Sequence, residues 1–362
     1  MPEHNFLNGN KYRLSGCYIE LTSECNLRCK HCYNDSGILR SIIDKKTFKN
    51  VLNCYDSDVD PFFSLSGGEP LLHPDIWNII DMAIESGVTN ILLISNATLI
   101  TRDVALELKK RDISVQVSIN STNPKIHEIM CGTGTLKRTL NGLQNLLDVG
   151  VKKVLVRYTL TQANKDDFIN TMRELSGKGL FNILLGSLID VGRAEKNNEL
   201  SLKPQELSQI LEKIKKDVEF IELKEKYFPN FEMPSVYTGG CPIVLPNQQE
   251  DKWVEINPRI DAFGKVYICQ GFNDEMYSIG NINENRLDQI INSENLVKLI
   301  NFLYSGLFYG KECKMCVWKD VCGKGCVAER IQKGGSIQYS DGDCSIRKID
   351  LAKQLINFTS HS

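Results

Sequence analysis

The segment Cys25-Asn-Leu-Arg-Cys29-Lys-His-Cys32-Tyr33 constrains this chain more than any other. Three cysteines at spacings of four and three crowd into one short loop, directly after the apolar run that begins Cys17-Tyr-Ile-Glu-Leu. Thiolates converging on one point favour iron–sulfur clusters, zinc or cuprous copper. The count matters as much as the ligand type. A closed structural zinc site takes four protein ligands, and an ordinary cubane cluster takes four cysteines. A three-cysteine loop leaves one corner of the metal unit free to meet a substrate, unless His31 or a distant residue completes a zinc knuckle.

From Cys17 to about Ser187 apolar runs alternate with helical patterns. The predicted strands are Tyr18–Leu21, Phe62–Leu65, Ile91–Ser95, Ile113–Ile119, Val154–Leu160 and Phe181–Leu185. The predicted helices are Lys45–Cys54, Pro74–Ser86, Arg102–Lys110, Thr135–Val149, Lys165–Ser176 and Pro204–Lys216. Pro74 and Pro204 suit first helical turns, where a missing N–H costs little. Alternation at this pitch means βαβ units and a parallel sheet. Six units are too few to close an eight-stranded barrel. In β/α barrels reactive groups gather at the C-terminal strand ends, and the three cysteines fall at the first of them. The other ends carry Ser66-Gly67-Gly68-Glu69-Pro70, Ser95-Asn96, Ser118-Ile119-Asn120 and Leu188-Ile-Asp-Val-Gly-Arg193-Ala194. The two glycines permit close backbone approach to a ligand, and Glu69 can accept hydrogen bonds from an ammonium. Arg193 reads equally as a salt-bridged surface residue or as part of the site. His73 reads as part of a helix-starting turn.

The chain has 362 residues, 42% of them hydrophobic and 24% charged, which suits a globular protein of a barrel plus an appendage. A net charge of −2 provides no basic field for nucleic acid or an anionic membrane. The first residues lack a signal-peptide pattern, and no apolar run is long enough to span a membrane. Thirteen cysteines at metal-type spacings, without an export signal, point to ligation in a reducing cytoplasm.

A second cysteine group follows a change of pattern near Tyr227, where helical periodicity stops and Pro229, Pro234, Pro242 and Pro246 punctuate the chain. Its layout is Cys241, then Gly264-x4-Cys269, then Cys313-x2-Cys316-x5-Cys322-x3-Cys326, then Cys344. Paired structural zinc sites are one reading of C-x2-C spacing, although seven cysteines do not divide into two complete tetrahedral sets. The expected organisation is an irregular arm over 1–16, a β/α domain over 17–225 and a cysteine-rich domain over 226–362 that ends in a helix. Cys17 and Cys54 read as small buried hydrophobes. Cys131 sits in a Gly-rich loop at the reactive end.

The Cys-x3-Cys-x2-Cys-aromatic loop resembles the cluster loop of radical S-adenosylmethionine enzymes, and the second cysteine group resembles their SPASM extension. The resemblance implies an α/β fold, a partial (β/α)6 barrel followed by a SPASM domain. It implies a [4Fe-4S] cluster on Cys25, Cys29 and Cys32 whose fourth iron binds S-adenosylmethionine. That cofactor would be contacted by Tyr33, Gly67, Gly68, Glu69, Pro70, Asn96, Ser118, Leu188 and Arg193. Relatives often carry a carboxylate-binding arginine before the fourth helix; His127–Gly132 has none, and Arg157 is the substitute. Two auxiliary [4Fe-4S] clusters are implied: an outer one on Cys313, Cys316, Cys322 and Cys344, and an inner one on Cys241, Cys269 and Cys326. The inner set lacks a fourth cysteine, so its last iron is open or closed by another residue. Relatives of this type mostly modify peptides, so the expected activity is oxidation or cross-linking of a ribosomally made precursor. Expected partners are that precursor, a separate leader-binding protein and a flavodoxin- or ferredoxin-type electron donor. Gln270 replaces the aspartate of the sulfatase-maturing branch, which argues against that activity. Radical chemistry on a sugar or antibiotic intermediate is the alternative, and a zinc-binding interaction protein is the reading outside enzymes.

Overall fold

The computed structural model describes residues 11–56, 58–233, 241, 243, 253–309, 311–322, 324–334, 337, 344–345, 347–349 and 351–352. Strand β1 (Lys11–Leu14) leads into β2 (Gly16–Thr22), after which helix and strand alternate. The order is α1 (Lys45–Leu52), β3 (Phe62–Gly67), α2 (Ile76–Glu85), β4 (Asn90–Ser95), α3 (Arg102–Lys110) and β5 (Ser114–Ser118). Helices α4 (Pro124–Cys131) and α5 (Thr135–Val149) then precede β6 (Val154–Leu160), α6 (Phe168–Gly177) and β7 (Ile183–Ser187). Helices α7 (Arg193–Lys196), α8 (Pro204–Lys216) and α9 (Val218–Tyr227) complete this half. The second half contributes β8 (Trp253–Ile256), β9 (Arg259–Ile260), β10 (Lys265–Tyr267) and β11 (Gly280–Asn281). It ends with α10 (Leu287–Ile290), α11 (Glu294–Tyr309), α12 (Lys311–Lys314) and α13 (Val327–Gly334).

Strands β2 to β7 pair in sequence order and in parallel, as the alternating pattern predicts. The sheet does not close on itself. β7 is an outer strand, while the free edge of β2 takes β9 in parallel, and β10 and β11 continue antiparallel from there. One sheet therefore runs through both halves. β1 pairs separately with β8, so part of the expected irregular arm is a strand.

Side-chain alternation gives the sheet two unlike faces. Ile91, Leu93, Val115, Val117, Val156 and Tyr158 are buried in the core; each fully buried aliphatic side chain contributes roughly 1.5–3 kcal/mol. The intervening Leu92, Ile94, Gln116, Ser118, Arg157 and Thr159 instead line a cavity. Local signals fix several helix starts. The Asp44, Thr101 and Asp217 side chains accept from Thr47, Val104 and Phe220 N–H groups, and Pro204 opens α8.

Four expectations need correction. Pro74 lies before α2, whose N-cap is Asp75. The stretch expected as a loop around Cys131 is helix α4, capped by Asn123 with Pro124 in its first turn. β7 starts two residues late because Phe181, half exposed, stacks on Tyr227 outside the strand. Helix α9 follows α8 without being anticipated, because its apolar positions are few. Residues 1–10, Pro234, Pro242, Pro246 and most of the expected C-terminal helix lie outside the described residues.

Candidate active site

A cavity of about 440 Å³ opens at the C-terminal ends of β2–β7, and Cys25, Cys29 and Cys32 all line it. Backbone bonds shape their loop: Lys30 N–H donates to Met130 O (2.8 Å) and Cys32 N–H to Cys29 O (3.3 Å). Arg193 pins it from the far side. Its backbone N–H donates to Cys32 O (2.9 Å), Nε to Cys29 O (2.9 Å), and Nη1 to Ser36 O (2.9 Å) and Asp35 (2.8 Å). Gly192, at φ +63°, allows that approach, since a Cβ there would collide with the Tyr33 carbonyl. Gly67 and Gly68 allow close approach of the chain at the cavity wall: side chains there would strike the carbonyls of Thr22 and Glu24.

The three thiols lie within one another's field. Burial pushes Cys25 up to about 12 and raises Cys32, while Cys29 is raised by its hydrogen bond with Cys131 and by burial. A coordinated metal removes such protons outright. Among the described residues no three His, Cys, Asp or Glu side chains close on one point as ligands of a single ion do. The ligands of an iron–sulfur cube bind different irons and stand farther apart, which suits cysteines spread along a cavity wall.

The opposite wall presents charge. Arg157 lines the cavity with no anionic partner among the described residues, and burial lowers its pKa, so a bound anion would relieve it. Gly186 makes room for that guanidinium. Glu69 is fully buried and accepts from Ser95 Oγ (2.8 Å), Asn96 N–H (2.9 Å) and Leu71 N–H (3.3 Å). Burial lifts its pKa to about 7. His31 is neutral, with its pKa lowered to about 4 by burial; its Nδ1 is buried with no partner among the described residues.

The second-half cysteines fall into two groups. Cys313, Cys316, Cys322 and Cys344 line one small cavity with Lys324, Arg330 and Arg347. Arg330, 1% exposed, donates from Nη2 to Cys313 Sγ (3.0 Å). Cys241, Cys269 and Cys326 are partly buried against the main core, and Cys269 lies within the field of the other two. The buried Tyr12 hydroxyl stands in the field of Cys241 and has no partner among the described residues. None of the thirteen cysteines is in a disulfide.

Residues 19–175 match the Radical SAM superfamily, and residues 253–317 match SPASM, an iron-sulfur cluster-binding domain. The chain carries a radical SAM domain and a SPASM domain. It is 26% identical over 97% of its length to Fe-coproporphyrin III synthase of Methanosarcina barkeri, of which it covers 92%. It is 22% identical to mycofactocin maturase MftC of Mycolicibacterium smegmatis, across 90% of this chain and 81% of that one. Its fold matches that of Streptococcus suis SuiB bound to the precursor peptide SuiA, with a TM-score of 0.72 and 18% identity over 92% of this chain and 76% of SuiB. A radical SAM domain implies a [4Fe-4S] cluster and S-adenosylmethionine, and a SPASM domain implies auxiliary iron–sulfur clusters.

Of the residues expected around these groups in the radical SAM domain, the three cysteines, Tyr33, Gly67, Gly68, Asn96, Ser118, Arg157, Leu188 and Arg193 share the one cavity. Glu69 and Pro70 are buried and are not part of its lining. Ser66, at the expected strand end, lines it too, as do Tyr18, Gln116 and Thr159, which were not anticipated; their signal is a polar residue at every second position of an apolar strand. Gln270, which stands where the sulfatase-maturing branch carries an aspartate, is a SPASM-domain residue in the wall. His73 belongs to its turn, with Nε2 bonded to Ile43 O (3.0 Å) and Nδ1 accepting from Asp75 N–H (3.1 Å). Cys17 and Cys54 are buried in the core, as expected of small hydrophobes. Among the described residues no helix is long and apolar enough to cross a membrane.

Proposed function

We propose that this chain is a cytoplasmic radical SAM enzyme that modifies a ribosomally made peptide by net oxidation or cross-linking. The observation that carries the reading is the sharing of one cavity by three cysteines and an arginine that has no anionic partner among the described residues. Cys25, Cys29 and Cys32 would hold the first cluster, which with bound S-adenosylmethionine supplies a 5′-deoxyadenosyl radical for hydrogen abstraction. Arg157 would hold the cofactor carboxylate, and Asn96, Ser118, Leu188 and Tyr33 would shape the rest of its seat. Arg193 keeps the cysteine loop in place. Glu69 orients the Ser95–Asn96 turn. Cys313, Cys316, Cys322 and Cys344 would hold the outer auxiliary cluster, and Cys241, Cys269 and Cys326 the inner one, with Tyr12 as an oxygen donor beside Cys241. Tunable acceptors of this kind suit an oxidation that must dispose of an electron.

The division near residue 225 belongs to this reading, as do a flavodoxin- or ferredoxin-type donor and a separate leader-binding protein. A maturase among the sequence relatives and a structural neighbour bound to a precursor peptide support a peptide substrate. A second reading, a small-molecule substrate, draws on the relative named as Fe-coproporphyrin III synthase. Anaerobic purification tests the class directly. A brown protein rich in iron and sulfide that releases 5′-deoxyadenosine from S-adenosylmethionine supports it, and a colourless zinc protein refutes it. Incubation with a precursor peptide encoded beside the gene separates the two substrates: a mass change in the peptide favours the first, and an unaltered peptide the second.

A further inference from the structure

Where the two halves of the sheet meet, polar side chains that should be costly to bury form one connected chain. The Tyr18 hydroxyl bonds to Ser66 Oγ (2.7 Å) and to the Tyr33 hydroxyl (2.7 Å). Tyr33 donates to Glu20 Oε1 (3.0 Å), and Arg259 Nε donates to the same oxygen (2.8 Å). Glu20 and Arg259 are each 4% exposed. A buried ion pair is tolerated only when its geometry is good and its remaining polar atoms are satisfied. Here the second arm of the guanidinium, Nη1, donates to the Phe272 carbonyl (2.7 Å). The cation also lies over the Tyr33 and Tyr267 rings, 5.9 and 5.0 Å from their centroids.

The positions of these partners along the chain give the arrangement its meaning. Tyr33 follows Cys32, while Tyr267 and Phe272 bracket Cys269. One side chain thus touches the chain next to a barrel cysteine and on both sides of a SPASM cysteine. A second tie runs beside it: Asn273 Nδ2 donates to the Tyr33 carbonyl (3.0 Å). The pairing of β2 with β9 puts Tyr18 opposite Arg259 and fixes the arginine's origin. Only arginine suits this place. Its planar fork reaches a carboxylate and a carbonyl on different elements at once, whereas the single ammonium of lysine is a point charge.

We propose that Arg259 is the positioning residue that seats the Cys269 loop against the Cys25–Cys32 loop, and that its cation sets the reduction potential of the inner auxiliary site. The proposal rests on the reading that Cys241, Cys269 and Cys326 hold a cluster. A fixed positive charge beside such a group favours the more negative, reduced state. The seating also brings Gln270 into the wall of the shared cavity.

The test uses anaerobically purified full-length protein with Arg259→Met, Arg259→Lys and Glu20→Gln, with cluster potentials read by EPR-monitored redox titration. Arg259→Met should move the inner-site reduction equilibrium about tenfold toward the oxidised form, a 59 mV fall for one electron. Glu20→Gln, nearly isosteric, should move it the opposite way, because the cation loses its counter-charge. Arg259→Lys should recover at least half of the potential shift. Amide exchange over 269–273 and 33–36 should nevertheless accelerate together in both arginine variants, because lysine restores the charge and not the fork. The outer site should not move. An inner potential unchanged in Arg259→Met and Glu20→Gln, with all three clusters present by iron count, overturns the proposal alone. A wild-type protein lacking the inner cluster overturns it together with the functional reading. Where Arg259→Met fails to fold, the sign of the Glu20→Gln shift decides.

Discussion

The Cys25–Cys32 loop and the group Cys313, Cys316, Cys322 and Cys344 are both cysteine sites, and they are built on opposite plans. The first has three sulfurs on the wall of a wide cavity, and Arg193, though within the field of Cys29 and Cys32, makes its hydrogen bonds elsewhere. Arg193 is spent on backbone carbonyls and Asp35, and Arg157 faces the cavity. The second has four sulfurs around a small cavity, and Arg330 donates directly to one of them. A site that must admit a substrate keeps a vacant corner and holds its charges in reserve. A site that only stores an electron closes its ligand set and offsets the charge locally. Under the proposed function, this contrast fits chemistry at the first and electron storage at the second.

Removing a proposed ligand from each site should break the comparison most sharply. Cys29→Ala should abolish 5′-deoxyadenosine formation, by about 10³-fold or more, with iron content falling by about one third as one of three cubanes is lost. Cys316→Ala should lower product formation at least about tenfold while cleavage of S-adenosylmethionine continues uncoupled, since the outer site acts after the first step. Equal loss of both activities would make the outer site merely structural. Arg157→Met removes a charge-assisted bond of about 1.5–3 kcal/mol, so equilibrium dialysis should show S-adenosylmethionine binding weakened roughly 10- to 100-fold. An unchanged affinity would remove Arg157 from the cofactor seat.

The smallest effect concerns the metal-free protein. Glu69 is raised from 4.5 to about 7 by burial. Between those values the folded chain holds a proton that the unfolded chain has released, so stability falls as pH rises through the window and levels off above it. Urea unfolding at pH 5 and pH 8 should differ by about 3 kcal/mol more in wild type than in Glu69→Gln. Equal pH dependence in the two proteins would show that the burial does not act on this carboxyl.

The features legible from sequence were those written in local spacing. Cys-x3-Cys-x2-Cys, the alternation of strand with helix and the spacing Cys313-x2-Cys316-x5-Cys322 each depend on residues close along the chain, and the structure brings each set together. Features set by contacts distant in sequence stayed hidden. Arg259 meets Glu20 across 239 positions and Asn273 meets Tyr33 across 240, which no period or motif encodes. The bonds from Ser95 and Asn96 to Glu69, 26 and 27 positions away, are likewise absent from its local motif. Helix α4 was missed because eight residues carry too few apolar repeats to announce a helix.

The most direct test of the central claim is the EPR spectrum of the reduced protein with and without S-adenosylmethionine, recorded for wild type and Cys29→Ala. The account predicts that the cofactor perturbs one signal in wild type and that this same signal is missing from Cys29→Ala. A spectrum untouched by the cofactor, or a perturbed signal that persists in Cys29→Ala, would contradict it.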